Sequence, residues 1–185
     1  MEIIRKNKAV IKFLVTFFGV YLVLSLLYNL YLNYGTSEKY YPELITHIVA
    51  LQSENLISAF GYETKIIPSN YDASMRIGLN GEYLVRIVEG CNAVSVIILF
   101  LSFILAFRRD FKTTALYIFG GIVIIYALNI LRIALLTIGI YEIPEHESFM
   151  HGTLFPAFIY GVVFLLWFLW IRNFNKKENK AADDE

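Results

Sequence analysis

The sequence predicts an all-α integral membrane protein with about four transmembrane helices and a small extracytoplasmic cap, made of an amphipathic helix plus a β-hairpin. Three observations carry that reading. Hydrophobic residues make up 57% of the chain and charged residues 17%, an apolar share above that of soluble domains. The apolar residues are gathered into long runs rather than scattered. Lysine and arginine cluster at the ends of those runs, which orients them in a bilayer.

Residues 1–12 carry Arg5, Lys6, Lys8 and Lys12 against one acid, Glu2. The apolar run 13–32 follows, long enough for a crossing that needs about 20 residues. It is long for a signal-peptide core, and Tyr28, Tyr31 and Tyr34 close it with no small-residue cleavage site, so it reads as an uncleaved first span. Residues 35–90 are the one sizeable polar segment. Within it Leu44, Ile45, Ile48, Val49, Leu51, Leu56 and Ile57 roughly follow a helical period, which predicts an amphipathic helix over 42–60. Asn80-Gly81 lies between two β-prone runs within 75–88, the strongest short hairpin signal.

A second span covers 92–107 and is followed at once by Arg108, Arg109 and Lys112. A third, 113–140, contains Gly120-Gly121. A short loop with Glu142, Glu145 and Glu147 precedes a fourth span, 153–171, which ends in Trp167, Trp170, Arg172, Lys176 and Lys177. Residues 1–172 read as one membrane-embedded domain and 173–185 as a charged, disordered cytoplasmic tail. The 141–151 loop has no Lys or Arg. The positive-inside rule therefore puts both termini and the 108–112 loop in the cytoplasm and the other two loops outside.

The formal net charge is zero, so nothing points to nucleic acid as a partner; the partner that composition does imply is the lipid bilayer. A single cysteine excludes an intramolecular disulfide and a Cys-based metal cluster. There is no phosphate loop, dinucleotide fingerprint or serine nucleophile elbow, and no cofactor is read from the sequence.

That lone cysteine, in Glu89-Gly90-Cys91-Asn92-Ala93, sits where the polar segment becomes an apolar run. A thiol there has access to water, a helix N-terminus that favours negative charge, and apolar surroundings. Arg132 lies inside the third span, about eight residues or roughly 12 Å below its outer end. An arginine among apolar neighbours faces protein or water, either as a helix-bridging group or as a fixed cation for a developing oxyanion. His151 opens the fourth span at the same outer end and is a candidate general base. Three supporting residues accompany them. Asn129, one turn before Arg132, shares its face and orients the guanidinium or bonds across helices. Glu89 is placed to hold Arg132 or His151, or is a solvated loop carboxylate. Asn92 adjoins the thiol. His146 and His151 are five residues apart, about 140° around a helix, so a zinc site using them and Glu147 is weakly supported and no metal ligand is assigned.

At these residues the chain resembles the exosortase/archaeosortase family. Glu89-Gly90-Cys91-Asn92-Ala93 resembles its cysteine motif, Asn129-x-x-Arg132 its arginine motif, and His151 at the start of the last span its third motif. The ending from His151 to Gly161 and the short chain are most similar to the compact F-type exosortases (XrtF). The resemblance implies a membrane-embedded cysteine transpeptidase in a bacterial cytoplasmic membrane. Such enzymes cleave C-terminal sorting signals of exported, membrane-anchored substrates of the PEP-CTERM kind at the outer face. Cys91 would be the nucleophile, with Arg132 and His151 as partners. In many relatives Asp follows the histidine; here it is Gly152, which leaves His146 as the alternative to the favoured His151. Two other functional classes stay open: a non-enzymatic membrane subunit with an inert Cys91, and a metal-dependent intramembrane protease.

Overall fold

The computed structural model describes residues 7–35 and 40–183, with side chains as far as residue 172. Arg5 and Lys6 of the basic N-terminus lie outside the described residues, as do 36–39 and the end of the tail. The helices are α1 (Lys8–Tyr34), α2 (Leu44–Ala59), α3 (Val94–Ala106), α4 (Phe111–Glu142) and α5 (Phe155–Asp183). Three strands, β1 (Thr64–Pro68), β2 (Met75–Leu79) and β3 (Glu82–Ile87), lie between α2 and α3. A 3-10 turn, Glu89–Cys91, joins β3 to α3. Between α4 and α5 come a second 3-10 turn (Pro144–His146), one helical turn (Glu147–Phe149) and a π turn (Met150–Leu154).

Three stretches are long and apolar enough to cross a membrane: Lys8–Tyr34, Phe111–Glu142 and Pro144–Arg172. The expected second span is shorter than the others. α3 is apolar but has 13 residues, about 20 Å of rise against roughly 30 Å of hydrocarbon. The reason is local: the chain upstream of Val94 is still turning, and Arg108 ends the apolar run. At the other end α5 continues past the expected limit at 171 to Asp183. The tail that composition reads as disordered is rich in Lys, Glu and Ala, all good helix formers.

The all-α expectation needs a second correction, because the polar segment contains a three-stranded antiparallel sheet in the order β1-β2-β3. The hairpin forms where expected. Asn80 and Gly81 have φ of 49° and 92°, the positive values that a tight hairpin turn demands and that Asn-Gly supplies. β1 is the strand that the sequence does not announce. It is five residues long, lies at the edge, and ends in Pro68, which a central strand would not tolerate. β2 puts Met75, Ile77 and Leu79 inward, against Val49, Ala50 and Ile57 of α2 and Ile133 and Ala134 of α4. Sheet, α2 and the later part of α4 thus share one core. A second core joins α3, α4 and α5 through Phe100, Ile104, Ile125, Val163 and Trp170.

The helices have two chemically distinct ends. Phe13 of α1 packs on Phe107 with ring centroids 4.5 Å apart, and the Trp170 indole N–H donates to the Phe107 carbonyl at 3.0 Å. The start of α1, the Arg108–Lys112 loop and the late part of α5 therefore lie together at a basic end. Much of the aromatic content packs between helices here, as Phe103 on Trp167 at 4.4 Å shows. The opposite end carries Tyr28, α2, the sheet and Cys91.

What fixes that opposite end is Asn92, 1% exposed. Its amide nitrogen lies 2.7 Å from the Tyr28 hydroxyl on α1, 3.1 Å from the Thr46 hydroxyl and 3.3 Å from a Glu43 carboxylate oxygen. Its amide oxygen accepts from the Val94 N–H at 3.0 Å, which caps α3. Glu43 is itself buried, caps α2 by accepting from the Ile45 and Thr46 N–H groups, and accepts from Tyr31 at 2.8 Å.

Two stability tests follow from these contacts. A Cβ on Gly121 would lie 2.2 Å from the fully buried Phe100 ring, whereas one on Gly120 meets nothing within 4 Å. Gly121→Ala should cost about 1–3 kcal/mol by overpacking, Gly120→Ala nothing measurable, and the added mutation Phe100→Leu should recover part of the loss; thermal unfolding in detergent reads all three. Asn92→Ala should cost about 1–3 kcal/mol by stranding its partners. Asn92→Asp should cost more in the same assay, since it sets a second carboxylate against Glu43.

Candidate active site

The cysteine motif folds as a tight elbow. β3 runs out at Ile87, and the Cys91 N–H closes the 3-10 turn on the Val88 carbonyl at 2.8 Å. Ala93 then takes φ 67°, a left-handed conformation that costs a non-glycine residue on the order of 1 kcal/mol. Ala93 is buried in the helical core, where a larger side chain would not fit its 3% exposure. Cys91 therefore precedes α3 by three residues rather than starting it, half-buried and with a free thiol.

The elbow is gripped from both sides. Asn92 ties it to α1 and α2. From α4, Asn129 donates its amide N–H to the Cys91 carbonyl at 2.7 Å and is 1% exposed. The other end of the same amide accepts from the Arg132 guanidinium at 3.3 Å. Asn129 thus fills both roles weighed for it, orienting the arginine and bonding between elements. Arg132 is half-buried, and its Nε is buried without a hydrogen-bond partner among the described residues.

Cys91 and His151 line one cavity of about 270 Å³. Its walls are Leu84 to Arg86 and Val88 from the β3 side, Leu136 and Ile140 from α4, and Glu147. Arg132 does not line it and reaches the elbow through Asn129. His151 is exposed and sits in the π turn, a wide turn that recurs at functional sites. Glu147 stands four residues before His151, a spacing that could have flagged it as a neighbour on the same side.

Two candidates separate from this group. Glu89 is exposed, and among the described residues it pairs with neither Arg132 nor His151; its backbone carbonyl accepts from the Tyr28 hydroxyl at 3.3 Å. Its position explains this, since the 3-10 turn directs residue 89 toward α1, where it lines a different cavity with Tyr28 and Ser95. His146 lies outside the Cys91 cavity, exposed, with Nδ1 3.8 Å from Glu145. Among the described residues no three His, Cys, Asp or Glu side chains gather closely enough to hold a metal ion. His47 lies with Nδ1 3.1 Å from the Tyr41 carbonyl.

Sequence reasoning missed the ring of half-buried Tyr28 and buried Glu43 and Thr46 around Asn92. Glu43 had a readable sign, a capping residue placed before an apolar periodic run. The others carry no local signal, because their partners lie 46 to 64 residues away.

No curated protein and no solved structure matches this chain. The family model of the transmembrane exosortases (Exosortase_EpsH) matches residues 7–171. With apolar spans, a cysteine elbow and a histidine turn facing one cavity, the chain is a multi-pass membrane protein that belongs to the transmembrane exosortase family.

Proposed function

We propose that this protein is a membrane-embedded cysteine transpeptidase, an exosortase of the compact F type. Its substrates would be exported proteins held by a C-terminal sorting signal, with a short motif, a membrane helix and a basic tail. The observation that carries the reading is the cavity shared by Cys91 and His151, with Arg132 coupled to the Cys91 carbonyl through Asn129.

The chemistry is acyl transfer. His151 takes the thiol proton and the sulfur attacks the scissile carbonyl, forming an S–C bond and an oxyanion. Collapse breaks the C–N bond; the membrane helix leaves as an amine with the proton from His151, and a thioester remains on Cys91. Water or an acceptor amine then attacks the thioester and releases the thiol. Arg132 supplies the positive charge at the elbow, a contribution of about 3–4 kcal/mol if aimed at the oxyanion. The basic end lies in the cytoplasm and the cavity opens on the outer side of the bacterial cytoplasmic membrane, in keeping with the Lys/Arg distribution.

Processing of a basic-tailed, single-span substrate in cells tests this reading. Cys91→Ala should abolish cleavage. Arg132→Lys should lower it by about 10²–10³, and Glu145→Gln should leave it unchanged. Cleavage by Cys91→Ala would instead establish an inert thiol and remove the cysteine mechanism. Because Cys91 is the only cysteine, a membrane-impermeant maleimide reads sidedness directly. Labelling of intact cells is expected, and labelling only after lysis would overturn the topology.

A further inference from the structure

A second cavity, of about 430 Å³, lies against the outer face of the sheet and adjoins the first, with Leu84, Val85 and Arg86 lining both. Its floor is built rather than incidental. Tyr83 lies over Gly78, where a Cβ would come within 3.0 Å of the ring. Arg76 stands over the Tyr83 ring at 5.1 Å. β3 carries an extra residue here: Tyr83 pairs with Gly78 and Val85 with Ile77, so Leu84 bulges out toward the shared wall.

The charges are arranged unevenly. Arg76 and Arg86 are directly opposed across β2 and β3, a like-charge pair that destabilises a sheet unless something lies between or beside it. Asp72 satisfies one of them, pairing with Arg86 and accepting from the Ser74 hydroxyl at 2.6 Å. The Ser69 and Ser74 hydroxyls, and then Arg86, hold its carboxyl below the ordinary range, so it is a committed anion. Arg76 keeps a ring contact with Tyr83 and no carboxylate partner among the described residues. Tyr71, 90% exposed, stands beside it on the rim.

Resting on the transpeptidase reading, we infer that this sheet face is the substrate's acyl-side subsite, taking an extended peptide segment whose acidic side chain pairs with Arg76. The leaving side of the substrate is its membrane helix, so the segment before the scissile bond lies on the sheet side of Cys91. From Arg86 to Cys91 the chain covers two residues of strand and three of 3-10 turn, at most ~13 Å. An extended peptide spans that in about four residues. The carboxylate therefore belongs about four residues before the scissile carbonyl.

The test uses full-length protein in lipid nanodiscs and two acetylated five-residue peptide aldehydes. One begins with Glu and the other with Gln; the remaining four residues are Gly and Ala. The Cys91 thiol adds across the aldehyde C=O to give a hemithioacetal, and this protects it from a fluorescent maleimide. The Glu peptide should protect at about tenfold lower concentration than the Gln peptide. Arg76→Gln should erase that preference and Arg76→Lys should keep part of it. Lys65→Gln, on the same sheet face but outside the cavity, should keep it in full. Equal protection by both peptides, absence of protection by either, or a preference that survives Arg76→Gln would overturn the subsite. If Cys91→Ala still abolishes cleavage in cells, such a result removes the subsite alone; if Cys91→Ala cleaves, the cysteine-transpeptidase reading itself fails.

Discussion

A buried side-chain amide has to be satisfied where it sits, and Asn92 is the place where this fold meets that requirement. An unpaired amide in an apolar interior costs several times what a satisfied one contributes. Asn92 is 1% exposed and finds its partners on three separate elements: Tyr28 of α1, Thr46 and Glu43 at the start of α2, and the backbone at the start of α3. None of these can shift without orphaning another polar atom. A network of this kind contributes less to net stability than to the selection of one arrangement. The arrangement it selects is the one that presents the next residue along, Cys91, to the cavity.

The opposite flank of Cys91 is held in a complementary way. Asn129 spends its N–H on the Cys91 carbonyl and its oxygen on Arg132, so the position of the arginine depends on the position of the elbow. The elbow is bent through Ala93 in a left-handed conformation, and the histidine is carried on a π turn rather than a regular helix. Cys91 of the elbow and His151 of the π turn thus line one small cavity. Local strain of this sort persists only where the surroundings over-determine it, and here the two asparagines do so.

Much of this was legible in the sequence, for physical reasons that differ by element. Three apolar spans followed from apolar runs, because a bilayer imposes a length, while α3 came out too short for the expected fourth. The hairpin followed from Asn80-Gly81, because few other pairs adopt two positive φ values. Cys91, His151, Asn129 and Arg132 were found as chemically conspicuous residues near one depth, and the structure brings the first two to one cavity and links the last two to the elbow. What stayed hidden was non-local. β1 has too little pattern to declare itself in five residues. Glu43 and Tyr28 look ordinary until Asn92, 49 and 64 positions away, arrives beside them. Glu89 was placed by proximity in sequence, and a single tight turn sent it elsewhere.

The brevity of α3 reaches beyond the protein. Its 13 residues rise about 20 Å inside a slab of roughly 30 Å. The missing height above it is filled by the 3-10 turn and the Asn92 network, which are polar, and not by a further apolar turn. Asn92, Glu43 and Thr46 are themselves buried, so this polar layer lies inside the protein and adds no apolar length beside α3. Hydrophobic mismatch of that kind is relieved by local thinning of the leaflet or by tilt. On the proposed reading, a leaflet thinned beside α3 shortens the path of a substrate's scissile bond out of the hydrocarbon to Cys91.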